Sequence, residues 1–123
     1  MTLAPDCDVL VVEDNDDERE MLATVLRKYG WTVATAANGL EALERERCSR
    51  VVVLDLHMPK MSGAGFLLHR TSTHWARVPA IVVSGWAGGV DEAAAGVVAH
   101  LDKPVDVQRL HELIQKHVGE ASR

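Results

Sequence analysis

Five polar residues of this sequence follow short apolar runs and carry groups that can act together in chemistry. Three are carboxylates, one is a hydroxyl and one is an ammonium group. In an open parallel sheet, ligands bind beyond the carboxyl ends of the strands. If the apolar runs are strands of one such sheet, the five side chains converge on one patch. They are Glu13 and Asp14 after the first run, Asp55 after the third, Ser84 after the fourth and Lys103 after the fifth.

This set of groups predicts metal-assisted phosphoryl chemistry. Three carboxylates in one place repel one another and raise each other's pKa values, so a cation is needed to compensate them. Hard carboxylate oxygens suit Mg²⁺, which keeps several waters and completes its coordination with a phosphate oxygen. Lys103 adds a positive charge opposite, and phosphoryl transfer depends mainly on positioning and charge stabilisation. Asp55 is then the candidate nucleophile, and an aspartyl phosphate is the expected product.

The elements that position these residues follow from an alternation along the whole chain. Short apolar runs, most of them rich in Val or Leu as buried strands are, alternate with segments of helical period. Right-handed crossovers must cover the sheet, which predicts an α/β, doubly wound fold with a five-stranded parallel sheet and helices on both faces. In the flavodoxin-like order 2-1-3-4-5, the strands that end in polar residues are contiguous. The expected strands are residues 9–12, 31–36, 51–54, 80–83 and 97–101.

Local signals predict the helices. Asn15 or Asp16 can cap the first helix, and Asp106 can cap the last. Two further helices are expected over residues 40–47 and from residue 63 to about residue 71. Between the fourth and fifth strands only residues 91–95 remain for a helix, so a shortened fourth helix is predicted.

Length and composition predict one ordinary globular domain and exclude several functions. The 123 residues are 47% hydrophobic and 25% charged, close to the average of soluble domains. A net charge of -5 without a basic run gives no electrostatic support for binding nucleic acid or anionic membranes. The sequence lacks a membrane span or signal peptide, and Cys7 and Cys48 fit free thiols in a reducing compartment. We expect one domain over residues 1–123, with a core of about 8–118, in the cytoplasm.

Each candidate residue also has an ordinary structural explanation. Acids such as Glu13 and Asp14 interact well with the dipole of a following helix. Asp55 and Ser84 can be caps, and Lys103 can be a solvated surface residue. Their joint placement at strand ends favours the metal and phosphoryl site over these separate coincidences.

The order of these pieces resembles the receiver domains of two-component response regulators, the CheY-like superfamily. Each piece is weak alone, but together they are highly specific and span about residues 8–118. The pieces are the acid pair Glu13-Asp14, Asp55 within Val-Leu-Asp-Leu-His-Met-Pro, the following Gly63, Ser84-Gly85 and Lys103-Pro104.

The resemblance implies a magnesium site and its ligands. In that family the second acid of the pair binds Mg²⁺ directly and the first often acts through water, which corresponds to Asp14 and Glu13. The phosphorylated aspartate, Asp55 here, is also a ligand. The residue two positions later supplies its backbone carbonyl, which corresponds to His57.

The resemblance also implies a signalling role. Asp55 would accept a phosphoryl group from a sensor histidine kinase or a histidine phosphotransfer protein. Ser84 would contact the phosphoryl group, and Lys103 would pair with it. A cis peptide is expected before Pro104. Phosphorylation would change a protein-interaction surface that a downstream effector protein binds.

Two positions depart from the family pattern. Ser84 and Lys103 are 19 positions apart, roughly one helical turn fewer than the family usually has. Three residues before the lysine, where the family usually has Tyr or Phe, this chain has His100. Both a surface histidine and a switch residue fit that position.

The predicted function is therefore a receiver that serves as a phosphoacceptor rather than an enzyme, with at most self-phosphorylation and self-dephosphorylation. The few residues after the last helix favour a stand-alone receiver, although the chain could be excised from a larger regulator or a hybrid kinase. The alternative from the enzyme class is an aspartyl-nucleophile phosphohydrolase. Such enzymes place a second Asp where this chain has His57. A pseudo-receiver would lack an acid of the pair, Asp55 or Lys103, and none of these is lost.

Overall fold

The computed structural model describes residues 4–56, 63–85 and 96–119. The strands are β1 (Cys7–Val12), β2 (Val33–Ala36), β3 (Ser49–Leu54), β4 (Ala80–Ser84) and β5 (Val97–Asp102). The helices are α1 (Asp16–Lys28), α2 (Gly39–Leu43), α3 (Gly63–His69) and α4 (Val107–Val118), and a 3-10 turn (Arg70–Ser72) follows α3.

The five strands form one parallel sheet in the order β2-β1-β3-β4-β5, which confirms the predicted topology. The strands are in register at their carboxyl ends. Val12 lies opposite Ala36 of β2 and opposite Leu54 of β3. Ser84, the last residue of β4, lies opposite Asp102 of β5. The residues that follow β1, β3, β4 and β5 are therefore brought to one edge of the sheet.

Both faces of the sheet are buried, as in other parallel sheets covered by helices. Side chains alternate along each strand, so every central strand contributes to two apolar clusters. One cluster joins the sheet to α2, α3 and the segment after α3, and includes Leu10, Val52, Phe66, Trp75 and Val82. The other joins it to α1 and α4, and includes Val9, Leu26, Val51, Ile81 and Leu110.

The ends of the two long helices agree with the sequence signals. The Asn15 side chain accepts a hydrogen bond from the backbone N of Glu18 at 2.9 Å and caps α1. Asp106 caps α4 by accepting a hydrogen bond from the backbone N of Arg109 at 3.2 Å. These caps fix the direction in which each helix leaves the sheet edge.

Helix α2 is shorter than predicted, because it ends at Leu43 and not near residue 47. Beyond it, Arg45 forms an ion pair with Asp6 at 2.9 Å, and Arg47 donates a hydrogen bond to the backbone oxygen of Ala4. These contacts tie the chain to the segment that precedes β1. They compete with a further turn of helix.

Two other predictions have different outcomes. The second strand begins at Val33 instead of Trp31, since the Trp31 side chain is buried against α4 and donates a hydrogen bond to His111 at 2.9 Å. The shortened fourth helix was expected within residues 91–95, which lie outside the described residues.

No helix in the described parts of the chain is both long and apolar enough to span a membrane.

A polar cluster joins the strands at their amino ends. Asp8 is fully buried, and its two oxygens accept hydrogen bonds at 2.9 Å from the Arg50 side chain and from the backbone N of Thr32. The Thr32 hydroxyl oxygen accepts a hydrogen bond from the backbone N of Asp8 at 2.8 Å. Arg50 also donates to the backbone oxygen of Val118 at the end of α4. We call this group, Asp8, Thr32, Arg50 and Val118, the amino-end clamp.

Candidate functional site

Three carboxylates meet at the carboxyl edge of the sheet. Glu13 and Asp14 follow β1, and Asp55 follows the neighbouring strand β3. One oxygen of each residue lies within 4.8 Å of the others. Glu13 and Asp55 are buried, whereas Asp14 is exposed. The structure therefore brings together the three acids that were expected to converge, and their role in metal binding stays a prediction.

The backbone of Asp55 is held from two sides. Its N donates a hydrogen bond to the backbone oxygen of Val12 at 3.2 Å, which ties it to β1. On the other side, helix α3 begins at Gly63, where a Cβ atom would lie only 2.0 Å from the backbone oxygen of Asp55. Only glycine permits this approach, which is the structural reason for the glycine in the motif.

Lys103 bridges the carboxylates. Its Nζ donates hydrogen bonds to Oδ2 of Asp55 at 2.7 Å, to Oε1 of Glu13 at 2.8 Å and to Oε2 of Glu18 at 3.0 Å. An ammonium group has three protons, so these three bonds use its full donor capacity. The peptide bond between Lys103 and Pro104 is cis, as the resemblance implied. We refer to Glu13, Asp14, Asp55 and Lys103 as the carboxyl-edge cluster.

Burial and hydrogen bonding shift the pKa values of these groups in different directions. Burial raises the pKa of Glu13 well above its ordinary value, and the hydrogen bond with Glu18 raises it further, while Lys103 opposes both effects. The same bond to Glu13, followed by the bond to Lys103, lowers the pKa of Glu18. For Lys103, burial disfavours the ammonium form, but its bonds to Asp55, Glu13 and Glu18 together raise its pKa. The ammonium group therefore stays charged at neutral pH.

The cluster fits a hard divalent cation. Its donor atoms are carboxylate oxygens, and the cluster contains three acids but one ammonium group. Two oxygens bound to one Mg²⁺ lie at most about 4.2 Å apart, so small side-chain rotations would bring the three acids into coordination. The exposure of Asp14 leaves room for the waters that Mg²⁺ retains. The three acids could therefore hold a metal ion.

The other predicted residues are placed as follows. Ser84 is fully buried at the end of β4, and its backbone oxygen accepts a hydrogen bond from the backbone N of Lys103 at 3.3 Å. His57 lies outside the described residues. His100 lies on β5, with its Nε2 4.0 Å from Oδ1 of Asp102, and its suggested switch role stays a prediction.

Sequence reasoning missed Glu18, which binds Lys103. The signal was available, since Glu18 is three residues after the helix cap Asn15 and four after Asp14. That spacing from the cap matches a capping box, in which the glutamate side chain turns back to the cap residue. The structure instead directs the carboxylate of Glu18 to Lys103, a partner 85 positions away.

A cavity of about 120 Å³ is lined by Glu13, Asp55 and Lys103 of the cluster and by apolar residues. The apolar residues include Met21 and Leu22 of α1, and Pro104 and Val105 after β5. The charged site therefore opens beside an apolar surface, and Met21 is 44% exposed there. A mixture of apolar and polar surface of this kind is typical of protein–protein interfaces.

Comparisons with known proteins agree with this geometry. A family model described as the response regulator receiver domain matches residues 9–115. The chain is 29% identical over 125 residues to the polar-differentiation response regulator DivK of Brucella anthropi, covering 92% of this chain and 97% of DivK. It is 32% identical over 114 residues to the transcriptional regulatory protein ZraR of Salmonella typhimurium, covering 89% of this chain but only 26% of ZraR.

A solved structure supplies information on the metal. The receiver domain of a sensor histidine kinase from Pseudomonas aeruginosa has a TM-score of 0.79 and 27% sequence identity to this chain. The match covers 93% of this chain and 98% of that domain, which was crystallised with a magnesium ion coordinated in its active site cleft.

Proposed function

Because the chain belongs to the family of response regulator receiver domains of two-component signalling, we propose that it accepts a phosphoryl group on Asp55. The observation that carries this proposal is the position of Asp55 within a cluster of acids, with Lys103 Nζ 2.7 Å from its Oδ2. A nucleophilic carboxylate, a group of metal-binding acids and a fixed ammonium group are the parts that this transfer requires.

In the proposed reaction, one oxygen of Asp55 attacks the phosphorus of a phosphohistidine on the donor protein. The O–P bond forms as the P–N bond breaks, and the imidazole leaves with the electron pair of that bond and takes up a proton. Lys103 pairs with the negative charge on the transferred oxygens. Ser84, at the end of the adjoining strand, is proposed to donate its hydroxyl proton to one of these oxygens.

We propose Mg²⁺ as the cofactor, held by Glu13, Asp14, Asp55 and the backbone carbonyl of His57. The donor chemistry of the three described acids supports this assignment, as does the magnesium ion in the related receiver domain. When bound, the ion neutralises charge on the phosphoryl oxygens. Among the acids, Asp14 is best placed for direct coordination because it is exposed, while Glu13 is engaged by Lys103.

The proposed phosphoryl donor is a sensor histidine kinase or a histidine phosphotransfer protein. The apolar walls beside the cluster, Met21 and Pro104 among them, support contact with such a protein. The proposed output is an altered surface bound by a downstream effector protein. The proposed domain core spans residues 8–118, in line with the matched residues 9–115. The free thiols of Cys7 and Cys48 support the cytoplasm as the proposed location.

Phosphorylation by a small donor tests the proposal directly. The protein is incubated with phosphoramidate and Mg²⁺, and intact mass spectrometry counts the added phosphoryl groups. We expect one group on the parent protein, none on Asp55→Asn and none when EDTA is present. Asp102→Asn is the matched control, because Asp102 is an exposed acid at the end of β5 on the same sheet edge.

Two outcomes would contradict the proposal. Phosphate on the Asp55→Asn variant would place the acceptor elsewhere. Hydrolysis of an ordinary phosphate monoester such as p-nitrophenyl phosphate by the parent protein, absent in Asp55→Asn, would indicate a phosphohydrolase.

A further inference from the structure

The carboxylate of Glu18 contacts the site without a role in the proposed reaction. It occupies one of the three hydrogen-bonding positions of the Lys103 ammonium group, and Glu13 and Asp55 occupy the others. Phosphorylation would convert the Asp55 carboxylate into an uncharged acyl group and add three phosphoryl oxygens with about two negative charges. The modified side chain would therefore carry about one negative charge more than before beside the same ammonium group. One phosphoryl oxygen can take the position that Asp55 now occupies on the ammonium group. Since that group has only three protons, a second phosphoryl oxygen can bind only if Glu13 or Glu18 gives way.

Glu18 is the partner that can leave at the lowest cost. Its side chain is 47% exposed, whereas the side chains of Glu13 and Asp55 are 4% and 10% exposed. Its contact with Lys103 is also the longest of the three, at 3.0 Å. Water can hydrate the released carboxylate of Glu18, whereas the buried carboxylate of Glu13 would stay desolvated if it lost Lys103.

The backbone of Glu18 remains in place during such a release. Its N donates to the Asn15 side chain at 2.9 Å in the first turn of α1. Rotation of the glutamate side chain alone therefore separates its carboxylate from Lys103, and the helix does not have to move.

We propose that Glu18 is a positioning residue for Lys103, which it holds while Asp55 is unmodified and releases to the incoming phosphoryl group. This inference rests on the proposed function, because the phosphoryl oxygens are what displace Glu18. Two effects follow. The carboxylate of Glu18 competes with the phosphoryl group for the ammonium group and slows transfer, and its release adds a free negative charge to the exposed side of α1.

The kinetic test compares four proteins at several phosphoramidate concentrations with Mg²⁺ present. Glu18→Gln should raise the rate constant at saturating donor by about threefold, the effect expected for loss of one partly exposed ion pair. Glu20→Gln removes the same charge from an exposed position of the same helix and should leave the rate unchanged. Glu18→Asp keeps the charge but shortens the side chain, so it should behave like Glu18→Gln.

The variants separate a direct contact from a general field effect. If the direct contact is unimportant, Glu18→Asp will match the parent protein, which would overturn the inference. Equal rates for the parent and Glu18→Gln, with both proteins phosphorylated, would overturn it while the proposed function stands. Phosphorylation of none of the four proteins would overturn the proposed function.

A spectroscopic measurement tests the contact by which Glu18 holds Lys103, without any phosphoryl donor or metal. In the unmodified protein, exchange of the Lys103 ammonium protons with water is followed by nuclear magnetic resonance with ¹⁵N-labelled lysine. Glu18→Gln should accelerate this exchange, whereas Glu20→Gln should not. Exchange at the parent rate in Glu18→Gln would overturn the inference.

Discussion

The two ends of the sheet hold buried acids in opposite electrostatic situations. At the amino end, Asp8 is matched by Arg50, and the remaining Asp8 oxygen is bound by the backbone N of Thr32. In the carboxyl-edge cluster, Glu13 and Asp55 share Lys103 with a further acid outside it. The amino-end clamp therefore has its charges paired, whereas the carboxyl edge holds an excess of negative charge.

The contrast separates a structural role from a functional one. Removing the charge of a buried acid that is paired and hydrogen-bonded weakens those bonds and destabilises the fold. Removing one acid from a crowded cluster relieves repulsion, but it also removes a ligand for the added cation. Substitutions at the amino end should therefore lower the stability of the fold without changing metal binding. Substitutions at the carboxyl edge should weaken metal binding while raising the stability of the metal-free protein.

The largest expected effect on stability lies at the amino end. Asp8→Asn should lower the free energy of unfolding by about 2 kcal/mol, because the two hydrogen bonds that the buried Asp8 carboxylate accepts from Arg50 and from the backbone N of Thr32 would be weakened or lost. Asp6→Asn is the control, since Asp6 forms a comparable but exposed ion pair with Arg45, and its loss should cost less than about 1 kcal/mol. Urea denaturation measures both. Similar losses for the two variants would remove the distinction between a clamp and a surface ion pair.

The next largest expected effect is the stabilisation of the folded protein by Mg²⁺. Mg²⁺ at tenfold above its dissociation constant should stabilise the parent protein by about 1.4 kcal/mol, because it binds only the folded state. Asp14→Asn should abolish this gain, whereas the Asp102→Asn control should retain it. Thermal unfolding with and without EDTA gives the comparison. An undiminished gain in the Asp14 variant would exclude Asp14 as a ligand.

The smallest effect has the opposite sign. Without divalent cations, Asp14→Asn should raise the free energy of unfolding by about 0.5 kcal/mol, because one member of the repelling cluster loses its charge. Asp17→Asn, in the first turn of α1, should instead be slightly destabilising, since an acid there interacts favourably with the helix dipole. Denaturation in EDTA at low salt resolves the two signs. Destabilisation by both variants would show that repulsion in the cluster is negligible.

The sequence was sufficient for the sheet order and for the convergence of four predicted residues. Apolar runs and the polar residues that end them are local signals, and the parallel topology brings those ends together. Glu13, Asp14, Asp55 and Lys103 could be identified for this reason. Ser84 was also placed correctly at the end of its strand, and the functional roles of all five residues stay predictions.

The remaining features depend on contacts between distant parts of the chain. Helix α2 ends early because Arg45 and Arg47 bind the segment before β1, which no local pattern indicates. Arg50 finds Asp8 only once β1 and β3 are paired in register, with Cys7 opposite Ser49. Glu18 has the spacing of a helix cap, and only the folded chain brings Lys103 within reach of it.

The bond from Arg50 to Val118 also determines where the end of helix α4 lies relative to the sheet. Val118 is the last residue of α4, and Gly119 then turns the backbone with a φ of 82°. Since Arg50 belongs to β3, the central strand, the end of α4 is anchored to the sheet and lies at the end opposite Asp55. A fluorescent protein or a surface-immobilisation tag joined after residue 119 would therefore start at the end of the sheet opposite Asp55 and leave the carboxyl-edge cluster accessible.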